Sequence, residues 1–339
     1  MKRLRISFTS ESNRASFLAG LVLLTLLAAV LSICFGAVPV TPVEVLNALL
    51  GDRKATASQI ILFSRFPRTC GCLLAGAALA VSGAVIQAVL DNPLAAPNII
   101  GVNSGAGLMV ALCCAVWPTA VFAVPFAAFL GALSGVFLVL FIAERTGAAR
   151  ITLVLAGVAV SAIFSAGIDA ILTFVPDALN GYSDFRIGGM ANLSMERILP
   201  AFWIILAAMI VIFLLAGEMD ILLLGAEMAR SLGLRAKPLR LILLALAAAL
   251  AGAAVSFAGL LGFVGLIVPH IMRRLLGSES LPLLLASALG GAALLTLCDL
   301  LARILFAPYE LPVGILLALV GGPFFIWLLL RQRGGRTRD

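Results

Sequence analysis

From residue 17 to residue 330 the chain is a succession of apolar runs of about twenty residues, interrupted only by short stretches carrying Pro, Gly or charge. Such a run fits a helix crossing about 30 Å of hydrocarbon, because a lipid-embedded backbone must satisfy its own hydrogen bonds. The runs predict spans near 17–35, 68–90, 95–114, 119–142, 151–172, 198–216, 240–257, 260–275, 282–300 and 311–330. The fold class that follows is an all-α polytopic membrane protein of about ten transmembrane helices. One transmembrane domain fills 17–330, flanked by a segment 1–16 and a basic tail 331–339. A soluble fold is excluded by composition: 63% of residues are hydrophobic and 12% charged, against about 45–50% and about 25% in soluble domains.

The first run follows Lys2, Arg3, Arg5 and Arg14, as a secretory signal would, but no A-x-A-like cleavage site follows it, so it reads as a retained first span. Seven of the 23 basic residues, Arg53, Lys54, Arg65, Arg68, Arg186, Arg197 and Arg303, fall in alternate connections. The other 16 share the opposite side with both ends of the chain. The positive-inside rule therefore predicts both termini in the cytoplasm. The formal net charge of +7 is thereby explained by topology, and no nucleic-acid partner is predicted.

Six cysteines at 34, 70, 72, 113, 114 and 298 lie mostly within apolar runs without ligand spacing, so they read as small apolar residues and no metal site is predicted. The lone His270 follows Pro269 in an apolar run and reads as a packed residue at a helix kink. Asp169, toward the outer part of the fifth span, reads either as interfacial or as part of a pathway. Gly101 with Gly105, and Gly131 with Gly135, have the small-xxx-small spacing that brings helix backbones together in lipid.

Several blocks together carry a resemblance. Arg65-Phe-Pro-Arg68 precedes Gly76-Ala-Ala-Leu-Ala-Val-Ser-Gly83-Ala-Val-Ile-Gln87, then Asn92-Pro93-Leu-Ala-Ala-Pro97 and Gly101-Val-Asn-Ser-Gly105. Later come Gly262-Phe-Val-Gly265-Leu-Ile-Val-Pro269-His270-Ile-Met-Arg273, Asp299 with Arg303, and Glu310-Leu-Pro312-Val-Gly314. In this order, from about residue 60 to the end, they resemble the permease subunits of ABC importers for iron-siderophores, haem and cobalamin. Two places depart from that pattern: Ala96 where relatives often have Asp, and Gly277-Ser-Glu-Ser280 in place of a commoner Gly-x-Asp-His-Arg.

The resemblance implies a homodimer in the bacterial cytoplasmic membrane, two cytoplasmic ATPase subunits and an extracytoplasmic substrate-binding protein. It implies docking of that binding protein on Arg65, Arg68 and Arg303, whose bland alternatives are headgroup anchoring for the first two and an i,i+4 pair with Asp299 for the third. Within the connection 217–240, the pattern Glu227-x-Ala229-Arg230-x-x-Gly233 resembles the ATPase-coupling motif, though an ordinary interfacial helix fits the same residues. Glu227 near a helix start and Gly233 at its close suit the helix dipole and a left-handed cap. Glu310 reads as the dipole partner at the start of the last span.

No G-x-x-x-x-G-K-[ST] occurs, so ATP and Mg belong to the partner ATPase, and this chain, which is not an enzyme, binds no cofactor. Iron-siderophore is the default cargo, with haem and cobalamin as alternatives. An ion-coupled secondary transporter would need ionisable residues at mid-span, and an intramembrane enzyme would need H-E-x-x-H or G-x-S-x-G. The sequence offers few of the former and neither of the latter.

Overall fold

The computed structural model describes residues 11–36, 41, 43–45, 50, 56–120, 122–146, 150–191, 193–305, 307 and 309–336, and no β-strand occurs among them. Among the described residues, seven helices are long and apolar enough to cross a membrane. These include α1 (Glu11–Cys34), α5 (Ala123–Arg145), α6 (Arg150–Phe174), α8 (Met195–Leu214), α11 (Ala236–Ala258) and α13 (Ser280–Ile304). The seventh is compound: α2 (Thr56–Ile60) passes through a π-helical turn, Ile61–Arg65, into α3 (Phe66–Leu90). Ser58–Leu90 is thus one uninterrupted rod of 33 residues.

Three predicted spans correspond to other helices. The third is α4 (Val102–Val116), which starts later than expected because Pro97–Ile100 forms a separate 3₁₀ turn and Gly101, at φ 87°, reverses the chain before Val102. The eighth is α12 (Val264–Leu276), whose 13 residues reach only about 20 Å. The tenth, α14 (Val313–Arg336), runs past the predicted start of the tail at 331. Three short helices also occur among the described residues: α7 (Ala178–Ile187), α9 (Ala216–Leu223) and α10 (Ala226–Ser231). Residues 1–10 of the predicted N-terminal segment, Arg53, Lys54 and residues 337–339 lie outside the described residues.

α3 is the central element, buried along most of its length and packed against α13, α11 and α12. Glycine permits these approaches. A Cβ at Gly83 would overlap the carbonyl oxygen of Gly265, and one at Gly76 would overlap that of Gly291. The predicted pairing of small residues also forms: Gly101 and Gly105 on one side meet Gly135 and Gly131 on α5. In lipid, where apolar side chains gain little by leaving their surroundings, such backbone contact supplies the packing energy.

The α3–α12 contact carries a polar peg. Pro269 has no N–H, so the Gly265 carbonyl one turn earlier lacks its helical donor. Gln87 on α3 donates to that oxygen at 3.3 Å and accepts from Arg273 Nη1 at 2.8 Å. Four residues of the family blocks, Gln87, Gly265, Pro269 and Arg273, are therefore one arrangement. Asn92 closes the turn after α3 by accepting the Leu94 N–H at 3.0 Å, with Pro93 between them. His270 packs edge-on against Phe324.

Candidate functional site

Two groups of polar residues lie at opposite ends of the bundle. The first gathers where α1 and α13 end and the α2–α3 rod passes. Arg68 spans two carboxylates: Nε and Nη2 donate to Asp299 at 2.9 and 3.0 Å, and Nη1 donates to Glu310 at 2.6 Å. Arg303, one turn beyond Asp299 on α13, sets its Nε 3.2 Å from the same carboxylate and donates through Nη2 to the Ser32 hydroxyl at 2.7 Å. Ser32 in turn shares a 2.8 Å hydrogen bond with Thr69. Arg65 caps α1, donating to the carbonyls of Ile33 and Cys34 at 2.9 and 2.8 Å.

Physical reasons for the cluster are local. Helix α1 ends with carbonyls lacking helical partners and a partial negative charge of about 0.5. Two carboxylates and this helix end nearly balance three guanidiniums. Burial makes that balance obligatory: Asp299 is 0% exposed, Arg303 3%, Arg65 4% and Arg68 7%. Glu310 is held nearby by a backbone bond from Leu311 to the Ala302 carbonyl at 3.2 Å, and only its side chain opens to the surface.

All three arginines are engaged inside the chain. Two expectations change here. Arg65 and Arg68 lie within the rod and not where the second span starts, since helix begins upstream at Thr56. Glu310 is more than a dipole partner, being an ion-pair ligand of Arg68. The Arg303–Asp299 pair at i,i+4 does form, and it belongs to the larger cluster. Sequence spacing could not reveal Arg68–Asp299, whose members are 231 residues apart.

At the other end, Asp220 caps α13 by accepting the Ser280 N–H at 2.8 Å, and Arg14 pairs with Glu279. Helix α10 occupies part of the 217–240 connection, most of which is helical. It closes as the sequence predicts: Leu234 N–H bonds to Ala229 O and Gly233 N–H to Arg230 O, both at 2.9 Å, with Gly233 at φ 82°. That pair of bonds is a Schellman cap. Ala229 is buried, Glu227 and Arg230 are exposed, and Leu224, Met228 and Leu232 put an apolar stripe on the surface. Asp169 is exposed on α6. No group of three or more metal-ligating side chains occurs among the described residues.

The chain is thus a helical bundle built for a membrane, with a buried ion-pair cluster at one end and the α10 loop helix at the other. Residues 24–331 match the FecCD transport family. The Fe(3+)-citrate import system permease protein YfmE of Bacillus subtilis is 38% identical over 325 residues, covering 95% of this chain and 97% of that protein. The hemin transport system permease protein HmuU of Yersinia pestis is 40% identical over 288 residues, covering 82% and 85%. A solved structure described as an inward-facing conformation of a metal-chelate type ABC transporter superposes with a TM-score of 0.84 at 29% identity, covering 94% of this chain and 99% of that one. The chain belongs to the FecCD transport family.

Proposed function

We propose that the chain is the permease subunit of a binding-protein-dependent ABC importer that carries a metal chelate, with an iron-siderophore as first choice, into the cell across a bacterial cytoplasmic membrane. It works as a homodimer of ten-span subunits with both termini cytoplasmic. The observation that carries this reading is the two-ended arrangement, in a chain similar along nearly its whole length to permeases named for iron and haem import.

The end bearing α10 faces the cytoplasm, consistent with the positive-inside bias. There the stripe of Leu224, Met228 and Leu232 offers an apolar contact to the ATPase, with Glu227 and Arg230 beside it. ATP and Mg act on that partner. At the outer end a binding protein docks through carboxylates that compete for Arg68 and Arg303. The accessible member is Glu310, so an incoming glutamate displaces Glu310 from Arg68 first and loosens the segment leading into α14. Charge complementarity of this kind mainly speeds and orients docking.

Co-reconstitution in liposomes with the ATPase and the cognate binding protein tests the reading. ATP-dependent uptake of a labelled ferric siderophore is expected, and uptake by this chain with no ATPase present would overturn it. The same assay with haem decides a second reading of the cargo, which the Yersinia relative favours by its name.

A further inference from the structure

A cavity of about 720 Å³ opens between the α10 end of the bundle and the adjoining ends of α3, α5, α6 and α11. Its floor is apolar, formed by Leu140, Leu153, Leu241 and Leu244, and its rim carries Arg230, Arg235, Lys237 and Arg240. The single acid in the lining, Glu144, is 3.2 Å from Lys237. The rim is therefore a concentration of positive charge above a greasy pit.

A second hollow of about 550 Å³ continues from it along the outside of α5 and α11, sharing Leu140, Leu241 and Glu144. This trough is lined by Phe137, Phe141 and Ile242, which are 54%, 57% and 49% exposed. These residues lie on two helices long and apolar enough to cross a bilayer, which suits the trough to hydrocarbon, and Arg145 sits 5.3 Å from the centre of the Phe141 ring at its charged end.

The combination selects one ligand chemistry. A soluble anion would satisfy the rim and leave the floor and trough empty. A soluble protein would reach the rim but not a trough that opens to the membrane core. An amphiphile with a phosphate head and acyl tails fits both parts, since guanidinium groups suit phosphate oxygens and basic pockets between membrane helices take anionic headgroups.

We propose that this cavity is a binding site for an anionic phospholipid, with its phosphodiester on the arginine rim and a tail along Phe137, Phe141 and Ile242. The site touches Gly233 to Lys237, the link between α10 and α11. A bound lipid there supports the loop helix and fixes its distance from the bundle. The inference rests on this end lying at the cytoplasmic membrane surface, and it does not require any other subunit.

Native mass spectrometry of the full-length protein in neutral detergent tests it without the importer's partners. Phosphatidylglycerol and phosphatidylcholine with identical chains are titrated against wild type, Arg235→Ser/Lys237→Ser and Leu241→Trp. Wild type should retain phosphatidylglycerol preferentially. The double variant should lose that preference by roughly 25-fold, because each basic residue near an anionic headgroup contributes about fivefold. Leu241→Trp, which fills the shared floor and keeps the charges, should lower binding of both lipids.

Excess inorganic phosphate should leave the adducts in place. Its displacement of phosphatidylglycerol, or equal retention of the two lipids by wild type, would overturn the proposal. So would adduct numbers unchanged in both variants. Failure of ATP-driven uptake with lipid preference intact would count against the importer reading alone.

Discussion

Replacing Asp299 by Asn removes the charge from the buried cluster while keeping its volume, and the consequence can be worked from the geometry. Asp299 faces Arg68 at 2.9 Å and Arg303 at 3.2 Å and is 0% exposed. Each close ion pair is worth roughly 4 kcal/mol at an effective dielectric of about 20. Repulsion between the arginines and the cost of desolvating all three groups offset much of that sum. What remains is the penalty for leaving buried guanidiniums uncompensated, about 3–5 kcal/mol.

Thermal unfolding of the detergent-solubilised protein should show the loss. For a chain of this length the melting temperature should fall by on the order of 5 °C. A triple change, Arg68→Met with Asp299→Leu and Arg303→Met, should recover most of that, since it removes both arginines that Asp299 compensates and leaves Arg65 on the α1 carbonyls. Glu310→Gln should cost less than about 1 kcal/mol, because this pair is partly solvated. A shift below about 1 °C for Asp299→Asn would refute the claim that burial makes the cluster's charge balance obligatory.

Gly83→Ala should lower stability by about 1–3 kcal/mol, because the added methyl meets the Gly265 carbonyl. Gly217→Ala, with open space around it, should melt like wild type in the same assay. Gln87→Leu should cost about 1–3 kcal/mol by stranding the Gly265 carbonyl and Arg273 Nη1, seen as faster deuterium uptake in α12. Gly233→Val should strain the φ 82° cap by roughly 1–2 kcal/mol. Its expected signature is weaker ATPase binding, measured by pull-down, with the melting temperature lowered by no more than about 3 °C.

Much of the helical layout was legible because a twenty-residue apolar run has few other uses. Positions with local causes were legible too: Gly233 ends α10 in a left-handed conformation, and the Gly101/Gly105 pair meets its partner on α5. Sequence reading failed where cause and effect are far apart in the chain. Arg65 and Arg68 looked like surface charges because the partners that allow their burial, the end of α1, Asp299 and Glu310, come from distant segments. The start of the second span was misplaced for the same reason, since a charged residue marks a boundary only when nothing inside the bundle neutralises it. Gln87 stood out only as part of a family block and its partner was not legible, because the carbonyl it serves is exposed by a proline on another helix.

The 33-residue rod from Ser58 to Leu90 is about 50 Å long. Even at a steep tilt of about 40° it would cover some 38 Å along the membrane normal, more than the roughly 30 Å of hydrocarbon available. Its Ser58 end must therefore stand proud of the oily layer when Leu90 sits at the opposite edge, and Arg68 then lies about 33 Å from Leu90, close to the edge on the Ser58 side. One helical run therefore joins the buried ion pairs of Arg68 to the Asp91–Asn92 turn at its opposite end, and the π turn at Ile61–Arg65 falls in the arm beyond those ion pairs.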